Sequence, residues 1–185
     1  MRAALAGFGL GRARKIESAA PRRAEAWLRF AVAFAPTFGE AHQALIAAHQ
    51  HQDDPLGAVA LARRAAERFD TSTDALVTLG HACSLAYRTR DALWAFERAL
   101  QIEERPDAAM AAGTLYRRLG DPATAGARFA RAFAAGAGPD ALRENAHALR
   151  AAGDPEAAAE AIAMWEKETG GRWVEEGPAT RRPVA

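Results

Sequence analysis

Residues 75–100 read ALVTLGHACSLAYRTRDALWAFERAL, and residues 108–133 repeat the same plan as AAMAAGTLYRRLGDPATAGARFARAF. Gly80, Ala92 and Phe96 recur 33 positions later, as Gly113, Ala125 and Phe129. The alanine extends through the chain at intervals of 34, 33 and 33 residues, as Ala58, Ala92, Ala125 and Ala158. A repeat of this length indicates that one supersecondary unit stacks on copies of itself, so no unit has a complete core alone.

Each unit has the signals of two antiparallel helices. Acidic residues suit the positive end of a helix dipole and predict where the first helices begin, at Glu40, Asp74, Asp107 and Asp140. Pairs of a capping Asp and a following Pro predict the start of second helices, at Asp54–Pro55, Asp121–Pro122 and Asp154–Pro155. Gly120 and Gly153 suit the left-handed residue after a first helix. Tyr87–Arg90 lacks Gly and Pro, so we expect Thr89 to cap the helix there.

Small residues predict where the helices of a unit approach closely. Gly80, Gly113 and Ala146 form one column on the first helices, and we expect Gly113 to face Ala125 on the second. Leu79–Gly80 with Ala92, Phe96 and Ala99 resembles the tetratricopeptide repeat (TPR) family, and the resemblance extends over residues 21–168. It implies an all-α, right-handed solenoid of about four and a half repeats. A degenerate half unit at residues 24–36 precedes the complete ones.

The predicted organisation has three parts. Residues 1–20 are a basic, glycine-containing segment, either frayed or a degenerate helix; residues 21–168 are the solenoid; residues 169–185 are a flexible tail. In the tail, Trp173 either folds back on the last helix near Trp165 or docks a partner. Repeat arrays normally need a polar cap at their ends, and the sequence presents none.

Composition limits the functional classes. Charged residues make up 25% of the chain and the formal net charge is +1, so no overall field favours nucleic acid or a membrane surface. No run of about 18 apolar residues predicts a membrane span, and the expected location is the cytoplasm. Cys83 is the single cysteine, which excludes an intramolecular disulfide, and we expect a buried, inert thiol.

We expect no catalytic residue, no cofactor and no metal. The chain offers no strand before its alternating glycines, so a nucleotide-binding loop is not indicated at Gly7, Gly9 and Gly11. Helical zinc ligands lie one turn apart, a spacing that is absent from His42, His49 and His51.

The resemblance implies that the first helices form a concave wall that binds an extended peptide or a partner helix. Helical spacing places along it Gln43, Gln50, His81, Thr114, Arg117, Arg118, Arg143, His147 and Arg150, with Ala47, Val77, Ser84 and Met110 among them. The wall therefore runs from neutral to basic, and guanidinium groups favour carboxylate or phosphate ligands. The alternative is that the arginines pair with Glu144 and only solvate a helix face.

The expected function is a non-catalytic protein–protein interaction module, an adaptor, scaffold or assembly factor, with a protein or peptide partner that is acidic where it meets the arginines. One alternative is a structural protein that self-associates, and another is an accessory subunit of a larger complex, including a membrane complex. RNA binding through the arginines is disfavoured, because the wall has few aromatic residues for base stacking.

Overall fold

The computed structural model describes residues 1–35 and 37–174, which form ten α-helices. The first helices of the five pairs are α1 (Arg2–Ile16), α3 (Glu40–His51), α5 (Thr73–Leu85), α7 (Pro106–Arg118) and α9 (Pro139–Ala151). The second helices are α2 (Pro21–Phe34), α4 (Pro55–Arg68), α6 (Thr89–Ile102), α8 (Pro122–Ala134) and α10 (Pro155–Thr169). The described residues contain no β-strand, and every helix packs on the next one along the chain.

The predicted Asp caps are confirmed at three second helices. The side chains of Asp54, Asp121 and Asp154 accept hydrogen bonds from backbone N–H groups at 2.9, 3.0 and 3.0 Å. The predicted cap at Thr89 is wrong, because Thr89 is the first residue inside α6. Arg88 occupies the cap position and makes no capping side-chain bond.

One turn geometry recurs between the helices of a pair, whatever residue is present. The residue before the cap has a left-handed backbone with φ of 55°, 58°, 79° and 80° at Asp53, Tyr87, Gly120 and Gly153, respectively. The next N–H then donates to the carbonyl five residues earlier, as from Arg88 to Cys83 at 2.8 Å. The prediction for the two glycines is confirmed, but no turn signal in the sequence marks Tyr87.

Close approach within the pairs depends on glycine facing phenylalanine. A Cβ added at Gly80 would lie 2.5 Å from the Phe96 ring, and one at Gly113 would lie 2.7 Å from the Phe129 ring. At Gly113 the three nearest atoms all belong to Phe129, so the ring forms a closer contact than the predicted partner Ala125. Both phenylalanines are fully buried at these contacts.

The N-terminal segment is a helix, so the expectation of a frayed segment is wrong there. A Cβ added at Gly9 would lie 3.0 Å from both the Phe30 ring and the Trp27 carbonyl of α2, so this glycine permits close packing. Tertiary contact thus outweighs the low helix propensity of glycine. Helix α1 packs on α2, which the sequence predicted to be the second helix of a degenerate unit.

The first helices lie on the inner side of the array. Helix α3 contacts α1 and α5 directly, in addition to its neighbours α2 and α4, and no two second helices in the described part of the chain pack to that extent. The main core lies between the helix layers from Ile46 to Ala141. No helix within residues 1–35 and 37–174 has the length and apolar character needed to cross a membrane.

Candidate functional site

The N-terminal half of the concave wall is polar. Gln43 is exposed and Gln50 is half-buried on α3. On α5, His81 packs edge-on against Phe96 with ring centroids 5.0 Å apart, and desolvation lowers the pKa of His81. Val77 was predicted on the wall but is buried in the core, 6% exposed. This half of the wall therefore offers mainly hydrogen-bonding groups.

The C-terminal half of the wall contains an open recess between α7 and α9, with a volume of about 520 Å³. Its lining is Met110, Arg117, Asp140, Arg143, Glu144 and His147. The fold thus brings together Arg117, Arg143 and His147, although 26 to 30 residues separate Arg117 from the other two. Arg118 is exposed and is not part of this lining.

Charges in the recess are balanced within the protein. Arg117 forms an ion pair with Glu144, and its guanidinium carbon lies 5.8 Å from the centre of the Phe129 ring. Asp140 supplies a second carboxylate to the lining. The Thr114 hydroxyl donates to the Met110 carbonyl at 3.0 Å and retains its lone pairs for a ligand. A ligand carboxylate would therefore have to compete with Glu144 for Arg117.

Trp173 folds back onto the last helix pair. Its ring lies 5.4 Å from Trp165 in an edge-on arrangement and 5.3 Å from His147. The Arg150 guanidinium carbon is 5.9 Å from the centre of the Trp173 ring. The backbone N–H of Trp173 donates to Glu166 Oε1 at 2.6 Å. Two wall residues, His147 and Arg150, therefore contact the start of the tail. Residues 175–185 of the predicted tail lie outside the described residues.

A second recess, of about 380 Å³, lies between the second helices α4 and α6. Its apolar floor consists of Leu76, Leu79 and Cys83 of α5, and Trp94, 61% exposed, forms part of one side. Burial raises the pKa of the Cys83 thiol, in agreement with the prediction of a buried cysteine. We did not predict this recess, and its only sequence signal is a tryptophan outside the repeating apolar columns.

Two of the three clustered histidines, His42 and His49, take part in interhelical packing, whereas His51 is exposed at the end of α3. His42 is buried between Phe38 and Phe69, with ring centroids at 5.3 and 5.2 Å. His49 Nδ1 lies 2.8 Å from Asp54, and its Nε2 lies 3.3 Å from Glu25 of α2. Within the part of the chain that the structure describes, no group of three or more potential metal ligands converges.

Solved structures with the same arrangement of helix pairs include MamA, with a TM-score of 0.71 and 17% identity, covering 94% of this chain and 98% of MamA. PilF of Pseudomonas aeruginosa has a TM-score of 0.69 and 22% identity over 94% of this chain and 78% of its own. YrrB, described as a TPR protein with an unusual peptide-binding site, has a TM-score of 0.64 and 17% identity over 88% and 85%. The chain has the tetratricopeptide-repeat fold. No family model and no curated protein sequence matches it.

At these identities, the TPR likeness establishes the fold and leaves the ligand open. The predicted resemblance is confirmed at the level of the all-α solenoid, and α1 extends the TPR array to the N-terminal helix. The residues predicted for the concave wall lie on first helices α3, α5, α7 and α9.

Proposed function

We propose that the protein is a non-catalytic interaction module, an adaptor or assembly factor, whose concave wall binds a peptide or helix of a partner protein. The observation that carries this proposal is the open recess between α7 and α9, where Met110 offers apolar contact beside arginine, histidine and carboxylate groups. YrrB, which shares the fold at 17% identity, is described as having a peptide-binding site.

The distribution of charge supports an acidic segment at the C-terminal half of the wall. Helices α3 and α5 carry Glu40 and Asp74 and no lysine or arginine. Helices α7 and α9 carry four arginines against three carboxylates, with Arg118 and Arg150 exposed. A partner carboxylate that enters the recess competes with Glu144 for Arg117. Exposed pairs of this kind are screened by salt, so binding weakens as ionic strength rises.

Reversal of two wall charges tests this proposal. The partner is first captured from the native source with the intact chain, identified and purified. Arg118→Glu with Arg143→Glu should then weaken its binding about tenfold or more, which corresponds to about 1.4 kcal/mol or more. The matched control is Arg64→Glu with Arg90→Glu, which makes the same change of net charge on exposed residues of α4 and α6.

Isothermal titration calorimetry measures the affinity of both variants for the partner at two salt concentrations. We expect the control to bind as the intact chain does, and circular dichroism should show that both variants remain helical. Equal affinity for the wall variant and the intact chain would contradict the proposed site.

A further inference from the structure

Trp173 occupies a defined seat at the end of the concave wall. The seat consists of Trp165 and Glu166 on α10 with His147 and Arg150 on α9. His147 belongs both to this seat and to the lining of the recess, so the two are contiguous. A segment that enters the recess and continues toward the C-terminal end of the wall therefore meets the Trp173 ring.

The chain reaches this seat by a sharp reversal after α10. Gly170 has a left-handed backbone with φ of 66°, and its N–H donates to the Glu166 carbonyl at 2.9 Å. Trp173 is then held by one backbone hydrogen bond and three ring contacts, and Val174 is again exposed. The contact is therefore local to one side chain and separable from the rest of the array.

The indole N–H of Trp173 is buried without a hydrogen-bond acceptor among the described residues. An unsatisfied buried donor costs free energy, so the seat recognises the face and edge of an aromatic ring and not the indole N–H. Arg150 over the ring adds a cation–π contact, which phenylalanine and tyrosine also provide. The chemistry thus fits an aromatic side chain in general.

We propose that this seat is a binding site for an aromatic side chain of the partner segment, and that Trp173 is an intramolecular occupant which the partner displaces. The proposal rests on the proposed function, since it adds an aromatic anchor to the segment bound by the wall. A tethered occupant competes at an effective concentration on the order of millimolar, so Trp173 lowers the apparent affinity for ligands that need the seat.

The test uses the full-length chain and a synthetic peptide of residues 168–174, ETGGRWV. The peptide is titrated into ¹⁵N-labelled Trp173→Ala, with the backbone amides of His147 and Arg150 and the Trp165 indole N–H as reporters. We expect saturable shifts at all three positions, with an affinity at least about tenfold higher than for the intact chain, whose seat is occupied.

Two peptide variants and one protein control define the chemistry. ETGGRFV should bind as well as the parent peptide within a factor of about three, because the indole N–H has no acceptor. ETGGRAV should not bind. The matched control Trp94→Ala removes an exposed tryptophan from the recess between α4 and α6 and should bind the peptide no better than the intact chain.

Equal peptide binding by Trp173→Ala and the intact chain would overturn the proposal, as would binding of ETGGRAV. A second measurement applies if the Trp173→Ala variant fails to fold. In the double variant His147→Ala with Arg150→Ala, the Trp173 indole proton should exchange with solvent about tenfold faster or more. An unchanged exchange rate would overturn the proposal. Because the peptide comes from this chain, these outcomes are independent of whether the wall captures a partner.

Discussion

Gly113 and Phe129 show how a single missing side chain sets the distance between two helices. An added Cβ would lie 2.7 Å from the Phe129 ring, in a region where the ring is fully buried and cannot move away freely. Gly113→Ala should therefore destabilise the protein by about 1 to 3 kcal/mol, despite the roughly 1 kcal/mol that alanine gains in a helix. Thermal unfolding followed by circular dichroism measures the change.

Gly7 and Gly11 on α1 provide the matched control, because a Cβ added at either position would meet no side chain and no other helix within 4 Å. Gly7→Ala and Gly11→Ala should each raise stability by about 0.5 to 1 kcal/mol through helix propensity alone. If Gly113→Ala is as stabilising as these two, the close contact between α7 and α8 is not as described.

His42 gives the fold a dependence on pH. Burial, together with the nearby Arg68 charge, lowers the pKa of His42 in the folded chain below its ordinary value of about 6.5. The unfolded chain then takes up the proton first, so stability is full above about pH 6.5 and falls as the pH drops toward the folded pKa. His42→Leu should flatten this fall between pH 7.5 and 5.5, with a remainder from His81, whose pKa is also lowered.

Urea unfolding at several pH values measures this slope. His51→Leu is the control, because His51 is exposed at the end of α3 and its replacement should leave the slope unchanged. A wild-type chain whose stability does not change between pH 7.5 and 5.5 would contradict the assignment of His42 as a buried, neutral residue.

At the scale of elements, two turns of the series hold a non-glycine residue in the left-handed conformation, at Asp53 and Tyr87, and the bulky Tyr87 is the less suited of the two. Tyr87 holds the left-handed conformation, with φ of 58°, that Gly120 and Gly153 hold in later turns, and its side chain is 84% exposed. Tyr87→Gly should stabilise the protein by about 1 kcal/mol, since a left-handed backbone costs a non-glycine residue roughly 1 to 2 kcal/mol. Gly120→Tyr should do the reverse in chemical denaturation, and stabilisation by Gly120→Tyr would refute the argument.

The helices and turns also show which local structures can be predicted from the sequence. Asp121 and Gly120 were predictable because a cap and a left-handed turn depend on the chemistry of neighbouring residues. Helix α1 was not, because Gly9 is favoured there by contact with a different helix. Tyr87 gave no signal for the same reason: the stacked array imposes its turn on whichever residue is present. Local rules predict local structure, and contacts between distant segments override them.

For the whole molecule, helical spacing placed Arg117, Arg143 and His147 on equivalent faces of neighbouring first helices, and the three line one recess. The spacing did not give their partners. The ion pair of Arg117 with Glu144 was only one of two alternatives from the sequence, and the seat of Trp173 on His147 depends on a chain reversal at Gly170. Those contacts, more than the number of arginines, determine what a ligand must displace.

The central claim is that the concave wall, and not the outer surface, binds the partner. A photo-crosslinking residue at Thr114, on α7, tests it against the same residue at Ala127, exposed on α8. With the purified partner, the account predicts crosslinks from Thr114 to one short partner segment and none from Ala127. Crosslinks from Ala127 without any from Thr114 would contradict it.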